Sequence, residues 1–254
     1  MTDLAKSIAR EKIFNIPAFD KKSIYCVVNY AGDEPSDKAV ILAHGLTGQP
    51  NEYVHMAARD YFKAQGYDVY RLAFYWFGEN YRVLHETTLA IHALDLNSVI
   101  AHIRPDYKKL YVCGHSYGGL TLVFANPQAD AIAFWDPSFY PWSEFMEEEG
   151  VHLAEMSLYS IGWGMACLMG KAMYTEAQSM KPEKANPMAA KVAAPSIVIQ
   201  AEKGGHDNCT KLYDALTCKK EIKVIKDADH CFTVGLTVQP LLETTQNWFK
   251  KFGG

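Results

Sequence analysis

The 254-residue chain has no run of lysine or arginine, no CxxC pair, no glycine-rich phosphate loop and no long uninterrupted apolar stretch. Each absence removes a class of function. Without basic runs, and at a net charge of −4, neither nucleic acid nor an anionic membrane is expected as the main partner. Neither GxGxxG nor a Walker-type GxxxxGK motif occurs, which disfavours hydride and phosphoryl transfer. No segment approaches the roughly 20 apolar residues of a membrane span, so no integral membrane association is expected. Met1 to Phe14 carries charges throughout and has no apolar h-region, so no secretory leader is expected and a cytoplasmic location is.

Cysteine is scarce and scattered, at positions 26, 113, 167, 209, 218 and 231, which argues against a disulfide framework. His206, Asp207, Cys209, Cys218, His230 and Cys231 crowd together in sequence, but their spacing fits no usual structural zinc site. No metal and no cofactor is expected.

What the chain does have is apolar substance: 49% of it is hydrophobic, ample for a sizeable core. Its length suits one α/β domain with an insertion. The most informative segment is Gly114-His115-Ser116-Tyr117-Gly118, set directly behind the apolar run Leu110-Tyr111-Val112-Cys113. It reads as a strand feeding a tight turn that lifts one serine above a sheet before a helix begins near Gly119. Glycines two residues either side of the serine have a steric reason, because a Cβ would collide where the backbone crosses closely.

Two further strand ends carry polar groups. Lys38 to Ala43 runs into His44-Gly45-Leu46-Thr47-Gly48, and Ile222 to Ile225 runs into Asp227-Ala228-Asp229-His230-Cys231-Phe232. Ligands of α/β sheets bind at such ends.

Apolar periodicity predicts the rest. Ile13 to Tyr30 reads as two strands in a meander. A helix follows Asn51, its predicted cap, and stops at Gly66; strands cover 67–74, 109–113, 130–135, 196–200 and 221–226. Helices are predicted over 88–103, from the serine turn to Asn126, near 208–216 and at the C-terminus, where Leu241, Thr245, Trp248 and Phe252 share a face. Alternation of this kind implies a mostly parallel, doubly wound sheet with helices on both faces.

Residues 137–193 break the alternation. They contain no convincing strand and hold most of the methionines together with many aromatics. The expectation is a core of residues 1–136 and 194–254 with a helical cap, 137–193, inserted after the sixth strand. Adaptable Met and aromatic side chains would line an apolar pocket there, and Gly162, Gly164 and Gly170 could lend it mobility.

These residues resemble the α/β-hydrolase superfamily and, within it, small serine esterases related to cinnamoyl (feruloyl) esterases and monoacylglycerol lipases. The resemblance runs from about residue 23 to the C-terminus, apart from the insertion. It is carried by His44-Gly45-Leu46-Thr47-Gly48, Gly114-His115-Ser116-Tyr117-Gly118-Gly119 and Ala228-Asp229-His230-Cys231-Phe232. It implies a nucleophile, an acid and a histidine in that chain order. Two departures stand out. The segment Arg71 to Gly78 is unusually aromatic, and where relatives place the acid this chain has Gly204, with Asp207 the nearest carboxylate beyond.

A serine hydroxyl needs a base to take its proton, and a carboxylate must hold that base in the right tautomer. Ser116 is the expected nucleophile and His230 the expected base. Asp207 is the expected acid, with Asp136 as its rival at the preceding strand end and Glu202 also open. The backbone N–H groups of Leu46 and Tyr117 are the expected oxyanion donors, and His44 is expected to prop their loop. The reading is a serine hydrolase acting on a small-molecule ester with an apolar acyl or aromatic group. Thioesterase, peptidase and perhydrolase chemistry remain open on the same residues, as does a non-catalytic ligand-binding protein. The oligomeric state stays open between monomer and homodimer.

Overall fold

The structure, a computed structural model, describes residues 11–34, 36–140, 150–162, 166–204 and 206–254. Strands β1 (Glu11–Pro17), β2 (Ser23–Asn29), β3 (Lys38–Ala43), β4 (Asp68–Ala73), β5 (Lys109–His115) and β6 (Ala131–Trp135) come first in the chain. Between them lie α1 (Tyr53–Ala64), α2 (Leu89–Ile103) and α3 (Tyr117–Ala125).

An insertion follows, with β7 (Gly150–Leu153), β8 (Leu158–Gly162), β9 (Ala166–Gly170), α4 (Lys171–Gln178) and α5 (Pro182–Ala189). The chain then returns through β10 (Ser196–Lys203), α6 (His206–Ala215), β11 (Lys220–Asp229) and α7 (Val238–Lys250). Eight strands form one sheet in the order β1-β2-β4-β3-β5-β6-β10-β11. The β1–β2 and β2–β4 pairs are antiparallel and the rest parallel.

Continuous apolar runs become the central strands because both faces are covered. In β3, Ala39, Ile41 and Ala43 pack on the α2 and α3 side, while Val40 and Leu42 pack on the α1 and α7 side. Leu241, Thr245 and Trp248 of α7 are buried, and Trp135 Nε1–H donates to Thr245 Oγ1 at 3.0 Å. That bond ties the last helix to the end of β6.

Two expectations fail. Asn51 does not cap α1. Glu52 is the N-cap residue and makes no side-chain cap bond, while Asn51 Oδ1 accepts from Arg71 Nη1. Arg71, fully buried on β4, also donates to Pro50 O at 3.1 Å, Glu11 Oε2 at 2.7 Å and Asn29 Oδ1 at 2.9 Å. A buried guanidinium needs that many acceptors, and it fastens segment 50–51 to the sheet.

The insertion is also not purely helical, since β7, β8 and β9 form an antiparallel three-stranded sheet. Each of these strands is only four or five residues long and built from Met, Cys, Gly and Ala as well as β-formers, so strand propensity alone does not reveal them. A Cβ on Gly170 would strike the carbonyl of His85, so close approach explains that glycine. Met169, Met173 and Met180 are fully buried in the core rather than lining a pocket. Met146, Trp142, Trp163, Gly164 and Met165 lie outside the described residues.

Candidate active site

Ser116 occupies the turn between β5 and α3 at φ 53°, ψ −119°, a conformation an L-residue adopts only under constraint. The constraints are visible. Its N–H donates to Trp135 O at 3.0 Å, and its carbonyl accepts from Gly119 N–H at 2.9 Å and Ser138 N–H at 3.0 Å. A Cβ on Gly114 would come within 2.7 Å of Gly118 O and Leu122 Cδ1. On Gly118 it would run into the backbone carbonyls of Ala43 and His44 at the end of β3. The glycines let the turn sit on its neighbour strand.

That neighbour strand delivers the expected oxyanion loop. A Cβ on Gly45 would lie 3.0 Å from Ser116 Cβ and 3.5 Å from its Oγ, so the loop is pressed against the serine. His44, buried beneath it, donates through Nδ1–H to Gly45 O at 2.8 Å. Its Nε2 accepts from the Phe74 N–H at 3.1 Å. A backbone N–H can only donate, so the imidazole must be neutral there. Burial lowers its pKa to about 4, which agrees. Tyr75 O–H reaches the same Gly45 carbonyl at 3.4 Å. Thr47 takes a positive φ of 60°, and Gly48 N–H closes the turn onto Gly45 O at 3.2 Å. The side chain of Tyr117 is buried and that of Leu46 packs on the core, which leaves only their backbone for the role expected of them.

His230 follows the last residue of β11. Its Nδ1–H donates to Asp136 Oδ2 at 2.6 Å. Its carbonyl accepts from His115 Nε2–H at 2.8 Å, tying it to the residue beside the serine. Burial lowers the His115 pKa to about 4, so that ring is a neutral strut. Asp229 secures the loop by accepting from the N–H groups of Thr233 and Val234.

The geometry separates the three carboxylates weighed from the sequence. Asp207 lies in the first turn of α6 with its side chain 85% exposed and pairs with Lys211 at 3.6 Å, not with His230. Glu202 is exposed and accepts from Asp227 N–H. Asp136, at φ 40° directly after β6, has a side chain 0% exposed. Its Oδ1 accepts from Ala201 N–H at 3.0 Å and from the Cys209 thiol at 3.4 Å. A Cβ on Gly204 would overlap Asp136 Oδ2, so this glycine vacates the space its rival fills.

Sequence reasoning also passed over Ser138, whose Oγ stands 3.5 Å from Ser116 Oγ. Among the described residues no hydrogen bond joins Ser116 Oγ to the His230 ring. Hydrogen bonds of this kind are often long without substrate and tighten when it binds.

Beside the loop at 44–48 opens a cavity of about 540 Å³. Thr47, Gly48 and Gln49 form one wall, Tyr75, Trp76 and Phe77 a second, and Leu84, Cys167 and Leu168 are among the residues opposite. The aromatic segment that departs from the expected pattern is therefore a cavity wall. Trp76 is held by stacking on Tyr25, with centroids 4.3 Å apart. Among the described residues no group of three or more His, Cys, Asp or Glu side chains is placed to hold a metal, and no helix is long and apolar enough to cross a membrane.

Residues 34–156 match the family model described as serine aminopeptidase, S33. No curated protein sequence matches the chain. Among solved structures it is similar to the esterase domain of a Rhodothermus marinus protein, at 16% identity, with 96% of this chain and 99% of that one covered and a TM-score of 0.75. An esterase of Butyrivibrio proteoclasticus with ferulic acid bound aligns at 15% identity over 94% and 98%, TM-score 0.76. A Pyrococcus furiosus esterase aligns at 17% over 96% and 93%, TM-score 0.71.

Proposed function

We propose that this protein, whose architecture is that of the α/β-hydrolases, is a serine esterase that cleaves carboxylic esters through an acyl-enzyme on Ser116. The observation that carries the reading is the buried Asp136 carboxylate on His230 Nδ1, at the same sheet edge as a serine held at positive φ.

With Nδ1–H committed to Asp136, His230 Nε2 is left as a base. The step requires a staggered Ser116 χ1 rotamer that brings Oγ within hydrogen-bond reach of that nitrogen. Nε2 takes the hydroxyl proton as Oγ attacks the ester carbonyl, and the tetrahedral oxyanion settles on the N–H groups of Leu46 and Tyr117. The imidazolium, stabilised by Asp136, then protonates the departing alkoxide. Water, deprotonated by the same nitrogen, frees the acid and restores Ser116. The six cysteines are free, which fits a reducing compartment such as the cytoplasm.

The aromatic wall supports an apolar or aryl acyl group as substrate, as does the ferulic acid held by the Butyrivibrio relative. Nitrophenyl esters from acetyl to decanoyl, a feruloyl ester and an aminoacyl nitroanilide test this. Medium-chain or aromatic esters should be turned over faster than acetate, and the amide slowest. A preference for short polar esters would overturn the substrate assignment, and faster amide cleavage would make the protein a peptidase. Trp76→Ala should raise KM for the feruloyl ester about three- to tenfold, the range of an aromatic contact, and leave acetate turnover within twofold.

A further inference from the structure

One carboxyl beside the site takes no part in this chemistry. Glu52 stands at the start of α1, and its carboxylate fills the space that a side chain on Gly48 would need. A Cβ there would lie 2.8 Å from Oε1 and 2.9 Å from Oε2. Gly48 and Gln49 wall the cavity, and the Glu52 carboxylate stands behind Gly48 rather than in the lining itself. It is 34% exposed, and among the described residues no lysine or arginine pairs with it.

Titratable groups face it from three parts of the chain. His55 Nδ1, on the same helix, lies 3.5 Å away, and burial holds that imidazole well below its usual pKa. From the loop after β11 come the His230 imidazole and the Cys231 thiol, and from the end of β4 the Tyr75 phenol. Burial pushes the Glu52 carboxyl up to about 7, against the opposing pull of a Gln49 backbone hydrogen bond and the His230 charge. Its charge therefore appears across neutral pH.

We propose that Glu52 is a specificity-determining residue whose carboxylate makes this end of the cavity electronegative. The cavity then admits neutral and ammonium-bearing acyl groups and rejects carboxylate-bearing ones. The proposal rests on Ser116 being the ester nucleophile. Two like charges on the order of 8 Å apart, at an effective dielectric near 20, repel enough to change binding about 30-fold. A more watery path leaves about fivefold.

The test compares nitrophenyl butyrate with its anionic analogue mono-nitrophenyl succinate and with nitrophenyl 4-aminobutyrate, from pH 6 to 8.5. The succinate carboxylate and most of the ammonium keep their charge across this range while Glu52 loses its proton, and uncatalysed nitrophenolate release, ring closure included, is subtracted at each pH. The butyrate-to-succinate ratio of kcat/KM should rise at least fivefold with pH in the wild type, and the aminobutyrate should move the opposite way. In Glu52→Gln the ratio should be low and flat. A ratio that is independent of pH and equal in both proteins overturns the role of Glu52. Failure to cleave any of the three overturns the proposed function instead. Because the readout is a ratio, partial loss of folded variant cancels, and the wild-type pH series needs no variant at all.

Discussion

Asp136→Ala should lower kcat on a nitrophenyl ester by about four orders of magnitude, whereas Asp207→Ala should leave it within twofold. The larger figure is what removal of a tautomer-fixing carboxylate costs in this chemistry. Asp136 is buried against His230 Nδ1 at 2.6 Å, and among the described residues no other carboxylate hydrogen-bonds that nitrogen to hold its proton there. Asp207 faces water beside Lys211, where losing an exposed ion pair is worth about 0–1 kcal/mol. Steady-state kinetics on both variants, with circular dichroism to establish folding, decides between them. A crippled Asp207→Ala beside an active, folded Asp136→Ala would reverse the assignment.

Gly118→Ala should be nearly as damaging, by a different route. The added methyl would meet two main-chain carbonyls, those of Ala43 and His44, which cannot swing aside as a side-chain tip would. Forcing β3 and the serine turn apart costs about 1–3 kcal/mol as overpacking. A displacement on the order of 1 Å between nucleophile and oxyanion loop costs about a hundredfold in rate. Urea denaturation and ester kinetics should therefore fall together. Gly235→Ala serves as the comparison: its φ of 60° brings backbone strain, but nothing lies within 4 Å of the new methyl. It should lose about 1 kcal/mol and little activity. Equal effects at the two glycines would mean that the close approach at Gly118 is not what constrains the turn.

Much of this site could be read from the chain because it is local. The serine turn is five consecutive residues between a strand and a helix, and the buried parallel strands are unbroken apolar runs. The loop at 44–48 sits directly behind one such strand, and the loop that carries His230 follows the edge strand β11, where Ile222, Val224 and Ile225 are interspersed with lysines. The acid was harder, because the choice between Asp136 and Asp207 depends on which carboxylate turns inward after its strand. Asp136 does so through a positive φ and through room left by Gly204, 68 residues later, and neither is visible in residue order. The missing side chain at Gly204 was the available signal, since a Cβ there would overlap Asp136 Oδ2, but residue order does not show that closeness.

The insertion hid its strands for a related reason. Strands of four or five residues, rich in Met and Gly, are held by pairing with each other rather than by their own propensity. Its methionines were legible as a cluster, but three of them pack inward under the strands while the aromatic segment 75–77 walls the cavity. Asn51 had the composition of a helix cap and was drawn off by a buried arginine that needed its oxygen.

Reaction with a fluorophosphonate, followed by peptide mass spectrometry, addresses the nucleophile itself. One equivalent should bind, on the peptide carrying Ser116, with none in Ser116→Ala and a rate at least a hundredfold lower in His230→Ala. A folded wild-type protein that leaves Ser116 unmodified, or that labels equally fast without His230, would contradict Ser116 as that nucleophile.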